Sequence, residues 1–348
     1  MPLFRMNIVK QKWIFLNSTL KHVSPQVMHL YQFGLETLAA RSIVSFRANA
    51  RLLSLNWNTA KSKIYRLSAN MKIPAIFITI LKTFALVGEK DVVAVDFSDF
   101  GNGLQVLMFA KQTKKGRATP LYFEILRYPI ERGSQNLFII QAIENFANII
   151  GCKPKLVFDR GFACPAIIQF MAQNGYVFII RIKKKKSTYD IRSKRKVLAL
   201  NKRKDDSTVL IYGIKLRLIV SDMLPEMSEP WYLVTNDMKS SRKKIIDRYY
   251  HRFEIEEFFR DAKRLIGLEN LNVNRPLSLS IALWFTILGM WFLNHTDEEM
   301  DENDQKAREA MELSGIRYAY EKLQREYIIA VESKYLVDCD SLKYERKS

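Results

Sequence analysis

Apolar residues recur at helical spacing through residues 1–88, most clearly in QVMHLYQFGLETLAARSIVSFRANARLLSL at 26–55. The stretch NWNTAKSKIYRLSANM at 56–71 predicts a turn and then a basic helix capped by Asn58 or Thr59. Thr59, Lys61, Ser62, Tyr65 and Arg66 would share its polar side. That side suits a helix-turn-helix reader of a major groove, and it equally suits an amphipathic helix in a bundle. From residue 91 the pattern becomes that of strands. VVAVDF (92–97), LQVLMFA (104–110) and PLYFEILRY (120–128) are rich in β-branched and aromatic residues and are broken by GNG and TKKGRAT. A helix capped by Ser134 follows, then a strand KLVFD (155–159), a helix over 166–174 and a strand YVFIIRI (176–182). Two further strands, STVLIYG and IKLRLIVSD, precede WYLVT (231–235) and a long helix over 242–266.

Three strands followed by alternating helix and strand is the order of a ribonuclease-H-like α/β core. The expected division is a helical N-terminal DNA-binding region (1–88), the first part of the core (89–183) and a basic β-rich insertion (184–240). A catalytic helix completing the core (241–270) and a helical C-terminal region, a place for dimerisation (271–348), complete it. Residues 277–293, LSLSIALWFTILGMWFL, are 17 long, at the lower edge of a membrane span. Ser278, Ser280, Thr286 and Gly289 dilute them, and they are read as a buried helix with no membrane partner.

Composition narrows the classes. With 48% hydrophobic and 26% charged residues in 348, the chain has material for a sizeable core, which excludes a disordered tail or a disulfide-stapled miniprotein. Cys152, Cys164 and Cys339 are widely spaced, form no CxxC zinc pattern and fit a reducing compartment. Arg5, Lys10 and Lys12 interrupt the N-terminus before a signal-peptide core can develop, so a cytoplasmic, nucleoid-associated protein is expected. The net charge of +19 points to a polyanion, most simply nucleic acid. Residues 297–348 carry a net −5, which leaves +24 on the rest. The densest basic block, 184–244, has 16 basic against 7 acidic residues and includes Lys194, Arg195 and Lys196. Such a run fits contact with a DNA backbone or a solvated surface.

Two aspartates finish apolar strands: Asp96 in VVAVD and Asp159 in KLVFD. A buried carboxylate needs a partner, so at the mouth of a sheet it holds a cation or accepts backbone hydrogen bonds. Strand-ending aspartates also serve as plain turn formers. In DRYYHRFEIEEFFRDAKRLIG, the residues Tyr249, Arg252, Glu256 and Lys263 are offset by 3, 4 and 7. At ~100° per residue they fall within an arc of about 60°. Glu254 and Glu257 lie outside that arc, and Ile255, Phe258, Phe259, Ala262 and Ile266 form a neighbouring apolar stripe. A carboxylate flanked by a phenol, a guanidinium and an ammonium suits a metal with phosphates. A salt-bridged surface helix would carry the same Arg252–Glu256 spacing.

VAVDFSDF, VFDRGF and YYHRFEIEEFFRDAK together resemble the DDE transposases of bacterial insertion sequences, the group with a Tyr-x2-Arg-x3-Glu-x6-Lys signature. The resemblance spans residues 91–271, and ARLLSLNWNTAKSKIYRLSANM is more loosely similar to the group's N-terminal DNA-binding segment. It implies that Asp96, Asp159 and Glu256 hold two Mg²⁺ ions, with Mn²⁺ able to substitute, about 3.5–4 Å apart for in-line attack on phosphorus. It further implies cleavage at element ends, strand transfer into target DNA, and a homodimer on double-stranded DNA. Tyr249, Arg252 and Lys263 would grip phosphates. Trp231, at the start of WYLVTN, either packs on the core or stacks on a base flipped from a hairpin intermediate. Two other readings stand beside this one: a transposase-derived DNA-binding protein without catalysis, and a ribonuclease-H-like nuclease without strand transfer.

Overall fold

In the computed structural model of the chain the described residues are 23–40, 56–84, 87–183 (save 115 and 132), 188–190, 196–197, 206–222, 229–264, 268 and 275–296. The chain divides into two compact units, Met1–Ala85 with Asp261–Ser348, and Leu86–Arg260. The first helices are α1 (Pro25–Ala40), α2 (Trp57–Ser68) and α3 (Ile73–Phe84). The cap of α2 is Asn56, whose side chain accepts from the Asn58 N–H at 3.0 Å. The expected cap at Asn58 or Thr59 lies inside the helix instead, because Asn56 already supplies an acceptor two residues earlier.

The Leu86–Arg260 unit begins with β1 (Val92–Asp99), β2 (Leu104–Lys111) and β3 (Thr119–Arg127), an antiparallel meander. Next comes α4 (Ser134–Ile150). Gly133, at φ 88°, takes the cap position that was expected of Ser134, whose hydroxyl donates back to the Glu131 carbonyl at 2.7 Å. The left-handed backbone at 133 is one that glycine adopts without cost. β4 (Lys155–Phe158), α5 (Pro165–Gln173) and β5 (Phe178–Ile182) follow, with β4 parallel to both β1 and β5.

The segment that the sequence sets apart as an insertion continues this same sheet. β6 (Thr188–Asp190), β7 (Lys196–Val197), β8 (Asp206–Ile211), β9 (Ile214–Val220) and β10 (Tyr232–Thr235) extend it to ten strands in the order β3-β2-β1-β4-β5-β10-β9-β8-β6-β7. The free edge of β5 is the reason, since β10 pairs with it antiparallel from Tyr232↔Ile182 to Thr235↔Ile179. Covering that edge satisfies backbone groups that would otherwise face outward.

The two faces of the sheet are covered differently. Phe146 of α4 stacks on Phe109 with ring centroids 4.6 Å apart. Val95, Phe109 and Phe158 are cross-strand partners and share that face. Alternation sends Ala94, Asp96 and Val157 to the other face. There Val157 joins Ile179, Ile219, Trp231 and Leu233 under Ile245 and Tyr249 of α6 (Arg242–Tyr250).

The single long helix expected over 242–266 is broken. After α6 the chain makes one 3-10 turn, His251–Phe253, before α7 (Glu254–Arg264). The connection between β2 and β3 supplies the cause. The Gln112 amide donates to the Arg248 carbonyl at 2.7 Å, and the Ala118 N–H donates to the Glu254 carbonyl at 3.1 Å. Lys114 also pairs with Asp247 at 2.9 Å. Donors inserted into a helix's carbonyl ladder are a recognised cause of kinks.

The last described helix, α8 (Pro276–Thr296), belongs with the first three in its unit. Phe77 of α3 lies between Trp284, stacked at 5.6 Å, and Phe285, edge-on at 5.0 Å. Phe285 also lies against Gly34 of α1, where a Cβ would run into the ring. Residues 279–288 are buried as expected, apart from the half-buried Ser280, and among the described residues no single helix is long and apolar enough to cross a membrane. The expected C-terminal region beyond Thr296 lies outside the described residues.

Candidate active site

Pairing of β1 with β4 ends at Val95↔Phe158, so the next residues along, Asp96 and Asp159, are neighbours on two parallel strands. Asp96 does not end its strand, as expected, but sits inside it, since β1 runs on to Asp99 against β2. Asp159 follows β4 directly and opens a 3-10 turn, Arg160–Phe162. The turn is fixed by Phe162, stacked on Phe97 at 5.7 Å and tilted against Phe158 at 5.2 Å.

The segment from α6 to α7 delivers three side chains to the two aspartates. The Tyr249 hydroxyl donates to Asp159 Oδ1 at 3.2 Å. Arg252 reaches Asp96 Oδ2 with Nη1 at 3.0 Å and Glu256 Oε1 with Nη2 at 2.7 Å. Arg252 is only 3% exposed, its guanidinium lies 4.6 Å from the Phe253 ring centre, and its Nε is buried without an acceptor. Tyr249, Arg252 and Glu256 are thus brought together with Asp96 and Asp159. Lys263 lies in the last turn of α7, on the far side of the division between the two compact units.

Burial dominates the electrostatics, and neighbouring negative charge adds to it. Burial raises the Asp96 carboxyl to about 6, with the charges of Glu256 and Asp159 adding to the rise and Arg252 and the Phe97 N–H opposing it. Burial also pushes the Tyr249 phenol up to about 12, with Arg252 opposing and Asp159 adding. For Arg252, burial works against the charged form, but Tyr249, Asp96, Glu256 and Asp159 outweigh it and raise its pKa.

Trp231 is 4% exposed and lies edge-on to the Tyr249 ring at 4.9 Å. Its backbone exchanges hydrogen bonds with Ser221, each 2.9 Å. Of the two expectations for Trp231, packing on the core describes these surroundings, since the indole holds Tyr249 from behind. Lys194 and Arg195 lie outside the described residues, and Lys196 stands in β7 opposite Tyr189. Ile255, Phe258, Phe259 and Ala262 form the buried stripe of α7 as expected, with Ile266 outside the described residues.

Sequence reasoning passed over Glu254. Its buried carboxylate accepts from the Thr113 N–H at 2.8 Å and lies 2.9 Å from Nδ1 of His251, tying the β2–β3 connection to the turn that carries Arg252. An acidic side chain in the first turn of a helix was the available signal, but EIEE holds three of them. Glu257 pairs with Arg260 instead, as a surface pair.

Asp96, Asp159 and Glu256 are hard oxygen donors of the kind that Mg²⁺ or Mn²⁺ takes. In the arrangement present, Arg252 spans two of the three. Among the described residues no group of three or more His, Cys, Asp or Glu is placed to hold a metal ion. The donor chemistry is of a kind that fits a divalent cation, and the Arg252 guanidinium bonds both Asp96 and Glu256.

The family model described as transposase DDE domain matches residues 137–292. That range contains Asp159, Trp231, Tyr249, Arg252, Glu256 and Lys263, while Asp96 joins them through the pairing of β1 with β4. No curated protein matches the sequence. Among solved structures, human ENDOV is 15% identical over 64% of this chain and 94% of its own, with a TM-score of 0.24. A. aeolicus Argonaute is 11% identical over 81% of this chain and 41% of its own, with a TM-score of 0.25. Marinitoga piezophila Argonaute, solved with 5′ OH guide RNA and target DNA, is 13% identical over 69% of this chain and 35% of its own, with a TM-score of 0.23. This chain spans less than half the length of either Argonaute.

Proposed function

We propose that this chain, whose residues 137–292 match the family model described as transposase DDE domain, cleaves DNA at the ends of an insertion sequence and joins the freed end to target DNA. The observation that supports the proposal is that Arg252 bonds both Asp96 and Glu256 while Tyr249 bonds Asp159, the residue beside Asp96 across the paired strands β1 and β4. The strand order β3-β2-β1-β4-β5, with only β1, β4 and β5 parallel, supports a ribonuclease-H-like core for it.

In this reading Asp96, Asp159 and Glu256 hold divalent cations, Mg²⁺ or Mn²⁺ in its place. When bound, such ions activate the attacking oxygen and stabilise the leaving one. The protein groups do the positioning. Tyr249 aligns the Asp159 carboxylate, Trp231 keeps Tyr249 in place, and Glu254 secures the turn that bears Arg252. In cleavage a water oxygen forms a bond to phosphorus, and the phosphorus–O3′ bond breaks to leave a 3′-OH. In joining, that 3′ oxygen attacks a target phosphorus, and the target's own O3′ departs with a proton. Arg252 and Lys263 supply the positive charge for the phosphates. On α2, Thr59, Lys61, Ser62, Tyr65 and Arg66 are exposed while Ala60 and Leu67 are buried, which favours this helix as a double-stranded DNA contact. Two copies would pair two element ends, at the nucleoid in the cytoplasm.

Labelled element-end DNA incubated with Mg²⁺, followed by mapping of products, tests the proposal. Cleaved and joined products are expected. Cleavage alone indicates a nuclease, and binding alone indicates a protein without catalysis. Asp96→Ala, Asp159→Ala and Glu256→Ala should each lower cleavage at least ~1000-fold, about 4 kcal/mol of barrier, with DNA binding retained. Glu257→Ala should be mild, and an equal loss there would remove Glu256 from its assigned role.

A further inference from the structure

Arg252 occupies ground that the proposed reaction needs for something else. Its two terminal nitrogens are committed to two different carboxylates, Asp96 at 3.0 Å and Glu256 at 2.7 Å. The third carboxylate, Asp159, is bonded by the neutral Tyr249 hydroxyl. One positive charge therefore serves three neighbouring acids from a position 3% exposed. We propose that Arg252 is a built-in cation that closes the carboxylate site in the metal-free protein and must leave it before a divalent ion is held. The inference rests on the reading of Asp96, Asp159 and Glu256 as metal ligands.

The physical argument is one of competition and replacement. A divalent cation and a guanidinium cannot both lie between Asp96 and Glu256, because they need the same lone pairs and repel each other. Yet a displaced guanidinium loses two charge-assisted hydrogen bonds in a poorly solvated place, which is expensive. Something must take it up. A phosphodiester offers two oxygens to the fork of a guanidinium, and Nε, buried without an acceptor, is a donor with bonding capacity to spare. Arg252 would then move from carboxylates to DNA phosphate as metal enters. Metal without DNA is held weakly, and each of the two ligands strengthens the binding of the other. Such a device keeps the hydrolytic site closed until the correct substrate is present.

Binding of Mn²⁺ to the full chain, followed by calorimetry and by the electron paramagnetic resonance of free Mn²⁺, reads this directly without turnover. Wild type should bind Mn²⁺ more tightly with element-end DNA than without, by about tenfold. Arg252→Gln without DNA should bind Mn²⁺ about tenfold more tightly than wild type, and added DNA should strengthen it little. Arg252→Lys keeps the charge but cannot span both acids, so it serves if the glutamine variant does not fold, with a smaller gain expected in the same direction. If wild type binds Mn²⁺ and both variants bind it equally or more weakly without DNA, the competition is refuted while the metal site stands. If no protein binds Mn²⁺ with or without DNA, the metal reading itself falls and this inference falls with it.

Discussion

Two arginines four residues apart, Arg248 and Arg252, are both buried against aspartates, and they do opposite things. Arg248 reaches Asp237 at 2.9 Å, and Asp237 also accepts from the Ser240 hydroxyl and N–H and from the Lys239 N–H. Burial alone would raise the Asp237 carboxyl, but these donors, Ser240 first, hold it at about 2. Asp96 accepts from Arg252 and the Phe97 N–H and faces two other acids, so burial prevails and carries it up to about 6. Residue type is the same in both places. The difference lies in the ratio of donors to negative charges, which makes one site a closed knot that holds α6 to the loop after β10. The other is a group of acids short of positive charge.

The comparison breaks most visibly at the closed knot. Asp237→Asn leaves Arg248 buried and uncompensated and should cost about 3–5 kcal/mol of stability, measured by urea denaturation. Mn²⁺ binding by the fraction that remains folded should be unchanged, and a selective loss of metal binding would mean the two sites are not separate. Glu254→Ala should have an intermediate effect, about 1–3 kcal/mol, because the Thr113 N–H is left without its acceptor. Limited proteolysis should then cut within 112–118 sooner than in wild type, and unchanged protection would show that other bonds hold this connection. The third effect concerns pH. The folded Asp96 has its pKa raised to about 6 from 3.8, so between these values the unfolded chain is ionised there while the folded one keeps its proton. Its contribution to stability is therefore lost as pH rises through that window, and the loss is complete above about 6. Metal must displace the same proton, so Mn²⁺ affinity should fall by about tenfold for each pH unit below 6. A flat profile down to pH 5 would mean that the folded Asp96 carboxyl is not raised into this range or takes no part in holding the metal.

Much of the fold is legible in the order of residues because local periodicity dictates it. The alternation in VVAVDF and LQVLMFA yields β1 and β2, the run in QNLFIIQAIENFANII yields α4, and LSLSIALWF yields the buried start of α8. The helix offset of four residues was enough to pair Arg252 with Glu256. Other features depend on partners far along the chain. The break at 251–253 and the burial of Glu254 follow from hydrogen bonds to residues 112–118, more than a hundred positions away, and no local pattern in EIEE distinguishes Glu254 from Glu257. Trp231 reads from sequence alone as a base-stacking residue or a core residue, and only the tertiary structure shows it buried with its ring edge-on to Tyr249. The residues that bear the acids were thus set by the sequence, because charge and helical spacing are properties of neighbours. Tertiary structure decided which cation stands among those acids, because the approach of Arg252 to Asp96 depends on how a kinked helix lies across two strands.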